Sequence, residues 1–275
     1  MTSVNKAIIF CAKIFAALII AGIVCSAVSF VGDVSFFFSD EKEYVTEKSL
    51  TPEDITSLDI ELEAAELVIQ NGDILHAETN STAISLLQDG STLKIKEKNS
   101  LGRQKGAKVI LTVPSLSTFY EVDISIGAGK LSADELTTVR FSLDVGAGNV
   151  EISKLNASSR AEIDCGAGDL DVNYGSISNL DLEVGVGDVD ITAAIFGESE
   201  IECGVGDLML TLIDGKALNR IACDVGIGNF KVDGEKIKGN KLINHGANSI
   251  DINGAVGNVT VIFADQNGEA TKDAK

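Results

Sequence analysis

The chain has 275 residues with 41 acidic against 22 basic side chains, and its net charge of −19 excludes nucleic acid and anionic membrane surfaces as natural partners. Apolar residues make up 45% of it but aromatics only 5%, with no tryptophan and two prolines. That composition suits thin β-structure filled by Val, Ile, Leu and Ala better than a globular core, since proline breaks strand pairing.

In chain order, residues 1–13 carry Lys6 and Lys13 and no acidic residue. No charge appears from Ile14 to Gly32, a run long enough to cross a bilayer as a helix. Asp33, Asp40, Glu41 and Glu43 follow it, so the positive-inside rule puts residues 1–13 in the cytoplasm and everything after residue 32 outside. A cleaved signal peptide is the rival reading, but no small-x-small site follows the run, and Val24 before Cys25 argues against a lipoprotein. A single-pass anchor at residues 14–32 in the cell membrane is expected. Residues 33–54 read as a juxtamembrane stalk, with Phe36, Phe37 and Phe38 at the interface and a mixed charged run as spacer.

Residues 55–263 read as one β-solenoid, irregular over 55–115 and regular over 116–263, and residues 264–275 as a polar tail. In the irregular part Leu58, Ile60 and Leu62 alternate, Glu63-Ala64-Ala65 takes a corner, and Leu67 and Ile69 follow, as in a degenerate first coil. Further alternations at Ile84/Leu86, Leu93/Ile95 and Val109/Leu111/Val113 are separated by turns at 71–73 and 88–91, and the basic insert from Lys98 to Lys108 reads as a protruding loop.

In the regular part small-residue doublets begin at Gly127, Gly146, Gly166, Gly185, Gly204, Gly226 and Gly246, at steps of 19, 20, 19, 19, 22 and 20 residues. A fixed period near twenty is the signature of coils that stack on copies of themselves. Apolar residues alternate before each doublet (Val184, Leu182, Leu180) and after it (Val189, Ile191), so each coil is strand, corner, strand. The expected corner glycines are Gly127 and Gly129, Gly146 and Gly148, Gly166 and Gly168, Gly185 and Gly187, Gly204 and Gly206, Gly226 and Gly228. Asn248 stands in for the last glycine, with Ile250 and Ile252 after it. A third inward point falls at Leu136, Leu155, Ile177, Ile195, Ile213, Ile237 and Val256. The expected fold is all-β: a single-stranded β-solenoid of about 19–20 residues per coil, preceded by one transmembrane helix.

The N-terminal apolar segment, the stretch LTVPSLSTFYEVDISIGAGKL and the G-x-G-(N/D)-(V/L)-x-(I/V) coils that follow resemble a bacterial family of putative adhesins over about Ile55 to Phe263. That resemblance implies a surface-exposed domain of unknown function built from β-strand repeats, associated with envelope stress. It supplies no catalytic residues to carry over.

Little of the chemistry looks enzymatic. The doublets lack the third glycine and following helix of a dinucleotide site, and the period is twice that of the nonapeptide calcium coil. Cys165 and Cys203 share a column two coils apart, while Cys223 falls one coil beyond Cys203 at about 8 Å, too far for a disulfide, so three buried free thiols are expected. His245 takes the inward place before the last doublet and reads as a half-exposed end residue. Charge is the informative signal. Asp144, Asp164, Glu183, Glu202 and Asp224 form one outward column and Asp169, Asp188 and Asp207, flanked by Asn149 and Asn229, another. The plain reading is a solvated face that keeps a repetitive sheet soluble, and the sharper one is a calcium ladder on Asp169, Asp188 and Asp207. No other cofactor is expected. The function these features point to is a non-enzymatic, membrane-anchored surface scaffold that binds a protein or glycan. The alternatives are a carbohydrate-active β-helix enzyme and a calcium-dependent binder.

Overall fold

The computed structural model describes residues 44–98, 106–237 and 241–264. The expected span at 14–32, residues 1–13, residues 33–43 of the stalk and the tail from 265 lie outside them, as does the middle of the Lys98–Lys108 insert. Among the described residues no helix is long and apolar enough to cross a membrane. From Tyr44 onward they belong to one compact unit.

That unit is all-β, a stack of coils in parallel register. Four consecutive coils show the pattern at its plainest: Phe119–Ala133, Leu136–Ile152, Leu155–Val172 and Gly175–Ile191. Each residue lies beside its counterpart one period on, as in the series Ile126, Val145, Cys165, Val184 and Cys203. The alternation dictates the rest, because every second side chain points inward and register puts like on like. Leu182, Ile201, Ile163 and Leu143 are all buried, and so are Val150, Leu170, Val189 and Leu208 on the second arm. Burying such a side chain contributes about 1.5–3 kcal/mol, which no single coil obtains without neighbours. The third side is real too, with Leu136 on Leu155 and Ile177 on Ile195. Ser199 is a polar residue in an inward column. Its Oγ accepts the N–H of Leu180 at 3.0 Å, which satisfies both groups.

The corners explain the glycines. The second glycine has positive φ at Gly148, Gly168, Gly187, Gly206 and Gly228, 149° at Gly187, and a Cβ built there would drive into the carbonyl oxygen of Gly168 one coil below; Gly129 lacks that φ but meets the same backbone clash, against Ala65. The first glycine column has no such φ and is small for the second reason alone: at Gly127 a Cβ would sit 2.8 Å from the Glu63 carbonyl oxygen.

Spatial order departs from chain order at both ends. After the arm Leu208–Leu212 the chain forms the outermost rung, Asn219–Val232, and then returns to insert Asn248–Phe263 between that rung and Glu198–Leu212. This corrects the expected seventh corner. Ile250 and Ile252 pair with Ser199 and Ile201 and so belong to a first arm, and the corner of that rung is Ala255-Val256-Gly257. Gly246 precedes the arm and Asn248 opens it, His245 is exposed in the connection, and Val256, expected to point inward, is 43% exposed. At the other end Ser57–Gly72 lies between Phe119–Ala133 and an outermost rung made of Thr92–Glu97 and Lys108–Pro114.

Both outermost rungs are capped by strands running the other way. Ile84–Asp89 pairs antiparallel with Thr92–Glu97, and His76–Thr79 with Lys108–Pro114. At the far end Lys241–Ile243 covers Asn219–Ile227 and Glu235–Ile237 covers Phe230–Val232. Lys48–Leu50, expected in the stalk, adds a further antiparallel strand on His76–Thr79, with Leu50 packed on the core.

Substituting Gly187→Ala combines a disfavoured φ with a clash against backbone, and is expected to cost about 3 kcal/mol or more in denaturant unfolding. Gly90→Ala, at φ 59° with open space around the new methyl, should cost only about 1–2 kcal/mol. Equal losses at the two sites would refute the stacking account of the corners.

Candidate functional site

The outer surface of the stack carries the polar chemistry, in columns that the coil period builds automatically. The residue after each second glycine forms one of them. Asn149, Asp169, Asp188, Asp207, Asn258 and Asn229 follow one another in it, with Asn258 supplied by the inserted rung. Their side chains bond up the stack. The N–H of Asp188 donates to Asp169 Oδ1 at 3.1 Å, that of Asp207 to Asp188 Oδ1 at 2.8 Å and that of Asn258 to Asp207 Oδ1 at 2.8 Å. Asn258 Nδ2 also donates to Asp207 Oδ1, and Asn229 Nδ2 to Asn258 Oδ1. Each carboxylate therefore caps a backbone N–H that the corner leaves without a strand partner.

The three predicted calcium ligands Asp169, Asp188 and Asp207 do share this column, but they occupy successive rungs rather than converging on a point. Among the described residues no group of three or more His, Cys, Asp and Glu is arranged to hold a metal ion. The ladder works as a series of backbone caps; Asn149 Oδ1 accepts the N–H of Asp169 at 3.5 Å in the same way, while Asn258 Oδ1 takes the Asn229 side-chain amide instead.

The first arm carries the larger acidic field. Asp144, Asp164, Glu183 and Glu202 stack as expected, but the next residue is Asn253 of the inserted rung, and Asp224 lies beyond it. Two residues back, Asp59 lies beside Asp123, and Glu162 is followed by Asp181, Glu200 and Asp251. Partial burial, with Glu183, Asp144, Glu162 and Asp181 close by, raises the Asp164 carboxyl above the usual aspartate range. Asp123, Asp171 and Asp190 are raised in the same way, by burial first and by neighbouring carboxylates second. Cations offset the field at its edges: Lys96 bonds Glu61 at 2.6 Å, and Arg160 bonds Asp181 at 2.8 Å.

Cys165, Cys203 and Cys223 are buried free thiols, as expected. Burial, with acidic neighbours, pushes them up to about 11, 11 and 12 respectively, which leaves almost no thiolate at neutral pH. Cys203 and Cys223 are farther apart than expected, because Ile252 and Gly254 of the inserted rung lie between their columns.

Two sets of caps had no signature in the coil motif. Glu97 Oε2 accepts the N–H groups of Glu63 and Ala64 at 2.8 and 2.9 Å, closing the one corner that lacks glycine. Asn179 Oδ1 accepts Glu198 N–H, and Asn248 Oδ1 accepts Gly197 N–H, at the opposite edge of the coils. Near the capped end an open polar depression is lined by Thr51, Glu53, Asp54, Gln88, Gly90 and Ser91.

Fold and surface together define a class: a capped all-β coil stack with acid-lined outer faces. The profile of the family described as Toastrack DUF4097 matches residues 54–275, and the chain belongs to that family. Among solved structures, a putative adhesin from Bacteroides fragilis shares the fold at TM-score 0.50 and 16% identity, over 81% of this chain and 98% of that one. A putative lipid binding protein from Parabacteroides distasonis aligns at TM-score 0.35 and 17% identity, covering 79% and 97% of the two chains. A putative cell adhesion protein from Clostridium sporogenes aligns at 0.33 and 13%, covering 80% and 100%. No curated protein matches the chain.

Carboxyls raised on folding bind protons more tightly in the folded state. Their contribution is complete below the unfolded value of 3.8 and is lost as pH rises through the shifted range. The melting temperature is therefore expected to rise on mild acidification from neutrality, and Asp164→Asn should raise it at neutral pH while flattening that dependence. A midpoint falling steadily over the same range would contradict the crowding account.

For the cap ladder, Asp207→Asn is expected to leave stability nearly unchanged while Asp207→Ala costs about 1 kcal/mol. Calcium and magnesium at equal ionic strength should shift the midpoint equally. A calcium-specific rise would restore the ion-site reading of Asp169, Asp188 and Asp207.

Proposed function

We propose that this chain is a non-enzymatic binding module displayed outside the cell membrane, anchored through residues 14–32 with residues 1–13 in the cytoplasm. Its partner is a protein or glycan at the cell surface, met through the acidic outer faces of the stack, in the setting of envelope stress. The observation that carries this reading is the acidic outer face itself. Carboxylates recur from rung to rung along the first arm, from Asp59 and Asp123 through Glu162, Asp181 and Glu200 to Asp251. The adhesin named among the structural neighbours is consistent with such a role.

An export-dependent reporter enzyme fused behind Lys275 is expected to be active, and deletion of residues 14–32 to release the chain from the membrane fraction. A reporter that works only in the cytoplasm would overturn the topology. A lysine oligopeptide should bind the displayed chain and dissociate as salt is raised, since exposed charges are screened within about 10 Å at 0.1 M salt. Salt-independent binding, or none, would overturn the role given to the acidic faces.

A further inference from the structure

Between the two small residues of these corners stands one residue that the coil motif leaves unassigned. Register places these residues in a single column: Ala128, Ala147 and Ala167, then Val186, Val205, Val256 and Ile227. Side-chain size grows along the stack from Ala to Val to Ile. Val256 is 43% and Ile227 72% exposed, while Val186 and Val205 are half-buried. A β-branched residue left this open gains little from burial, so Val256 and Ile227 do little for the fold.

The ridge runs along the crest of the corner. The first-arm acidic column lies three residues before it and the Asp/Asn cap column two residues after it, so on each rung the flanks stand within about 11 Å and 7 Å of the crest along the chain. Six steps at about 4.8 Å make the ridge roughly 29 Å long. The two properties are offset along it. Carboxylates flank both sides at Ala167, Val186 and Val205, whereas Asn253 and Asn258 flank Val256, and Asn229 stands after Gly228 in the Ile227 corner.

The geometry points to this ridge as the docking line for an amphipathic α-helix whose apolar stripe is bordered by Lys or Arg. This rests on the reading of the acidic faces as the binding surface and names the partner class for them. A helix of about 20 residues spans the ridge, and its pitch of about 5.4 Å sets close to one turn on each rung. Its basic flanks then meet the carboxylates of the central rungs while its bulkiest apolar residues meet Val256 and Ile227. A second copy of this chain is excluded as the occupant, because acidic columns would face acidic columns.

The test uses the full chain in detergent micelles, with empty micelles as the blank, and two labelled peptides of equal length and charge. One is a Leu/Lys helix with a single apolar stripe, and the other interleaves Lys with Gly and Ser. Ile227→Ser with Val256→Ser is expected to weaken the Leu/Lys helix about tenfold, or about 1.4 kcal/mol, and to leave the Gly/Ser peptide unchanged. Asp188→Asn with Asp207→Asn, which keeps the caps, should weaken both peptides. Circular dichroism and melting confirm that each variant is folded, and Val205→Ala provides a milder ridge variant should the serine pair unfold. Equal binding of both peptides, untouched by the ridge variants, overturns the docking line and leaves the acidic-face reading standing. Failure of both peptides to bind overturns both readings.

Discussion

The structure depends on how closely successive rungs approach at the glycine corner. Strands in neighbouring coils keep the ordinary pairing distance along both arms, but at the corner the chain turns so tightly that the carbonyl of one rung occupies the place of the next rung's Cβ. Only glycine fits, at Gly129, Gly148, Gly168, Gly187 and Gly206 alike. Once that column is fixed, the register of both arms follows, because a slip of one residue would turn every Leu, Ile and Val outward. The hydrophobic ladders, the acidic columns and the apolar ridge are all consequences of that one register.

A stack of parallel coils has two open ends, each a row of unpaired N–H and C=O groups that invites pairing with another molecule. The chain meets this by carrying its outermost rung past the inner one and then folding short antiparallel strands over it. The same device appears at both ends: Ile84–Asp89 and His76–Thr79 at one, Lys241–Ile243 and Glu235–Ile237 at the other. The reversal of direction ends the parallel ladder, and the final edges are short and carry Lys48, Glu235 and Lys236. The Asp/Asn column solves a smaller version of the same problem within the stack, since Asp169, Asp188 and Asp207 each take the backbone N–H that the next corner exposes.

Charge then separates the surface by role. The first arm partly buries its carboxylates and sets them side by side, which raises Asp164 and Asp123, the cap column commits carboxylate oxygens to backbone N–H groups, and the crest between them stays apolar. Such a surface stays soluble through its net charge while keeping a defined line along which a basic, apolar-striped partner makes contact.

The sequence by itself determined the β-coil repeat, the inward and outward columns, the corner glycines of six coils and the three buried thiols, because each depends on local alternation and on one period. Even the degenerate corner at Glu63-Ala64-Ala65 was legible from Leu67 and Ile69. The rung after Gly257 was legible in principle, since Gly257-Asn258-Val259 and Val261 repeat the coil motif, but Gly246 fell closer to the expected period and drew the corner to itself. What only the tertiary structure decided is which rung lies next to which. The order at both ends, the Asn253 and Asn258 that interrupt the acidic columns, the wider separation of Cys203 and Cys223, and the capping strands all depend on long-range pairing. Parallel strands of equal pattern pair equally well with any neighbour in register, so a period read along the chain carries no record of the order in space.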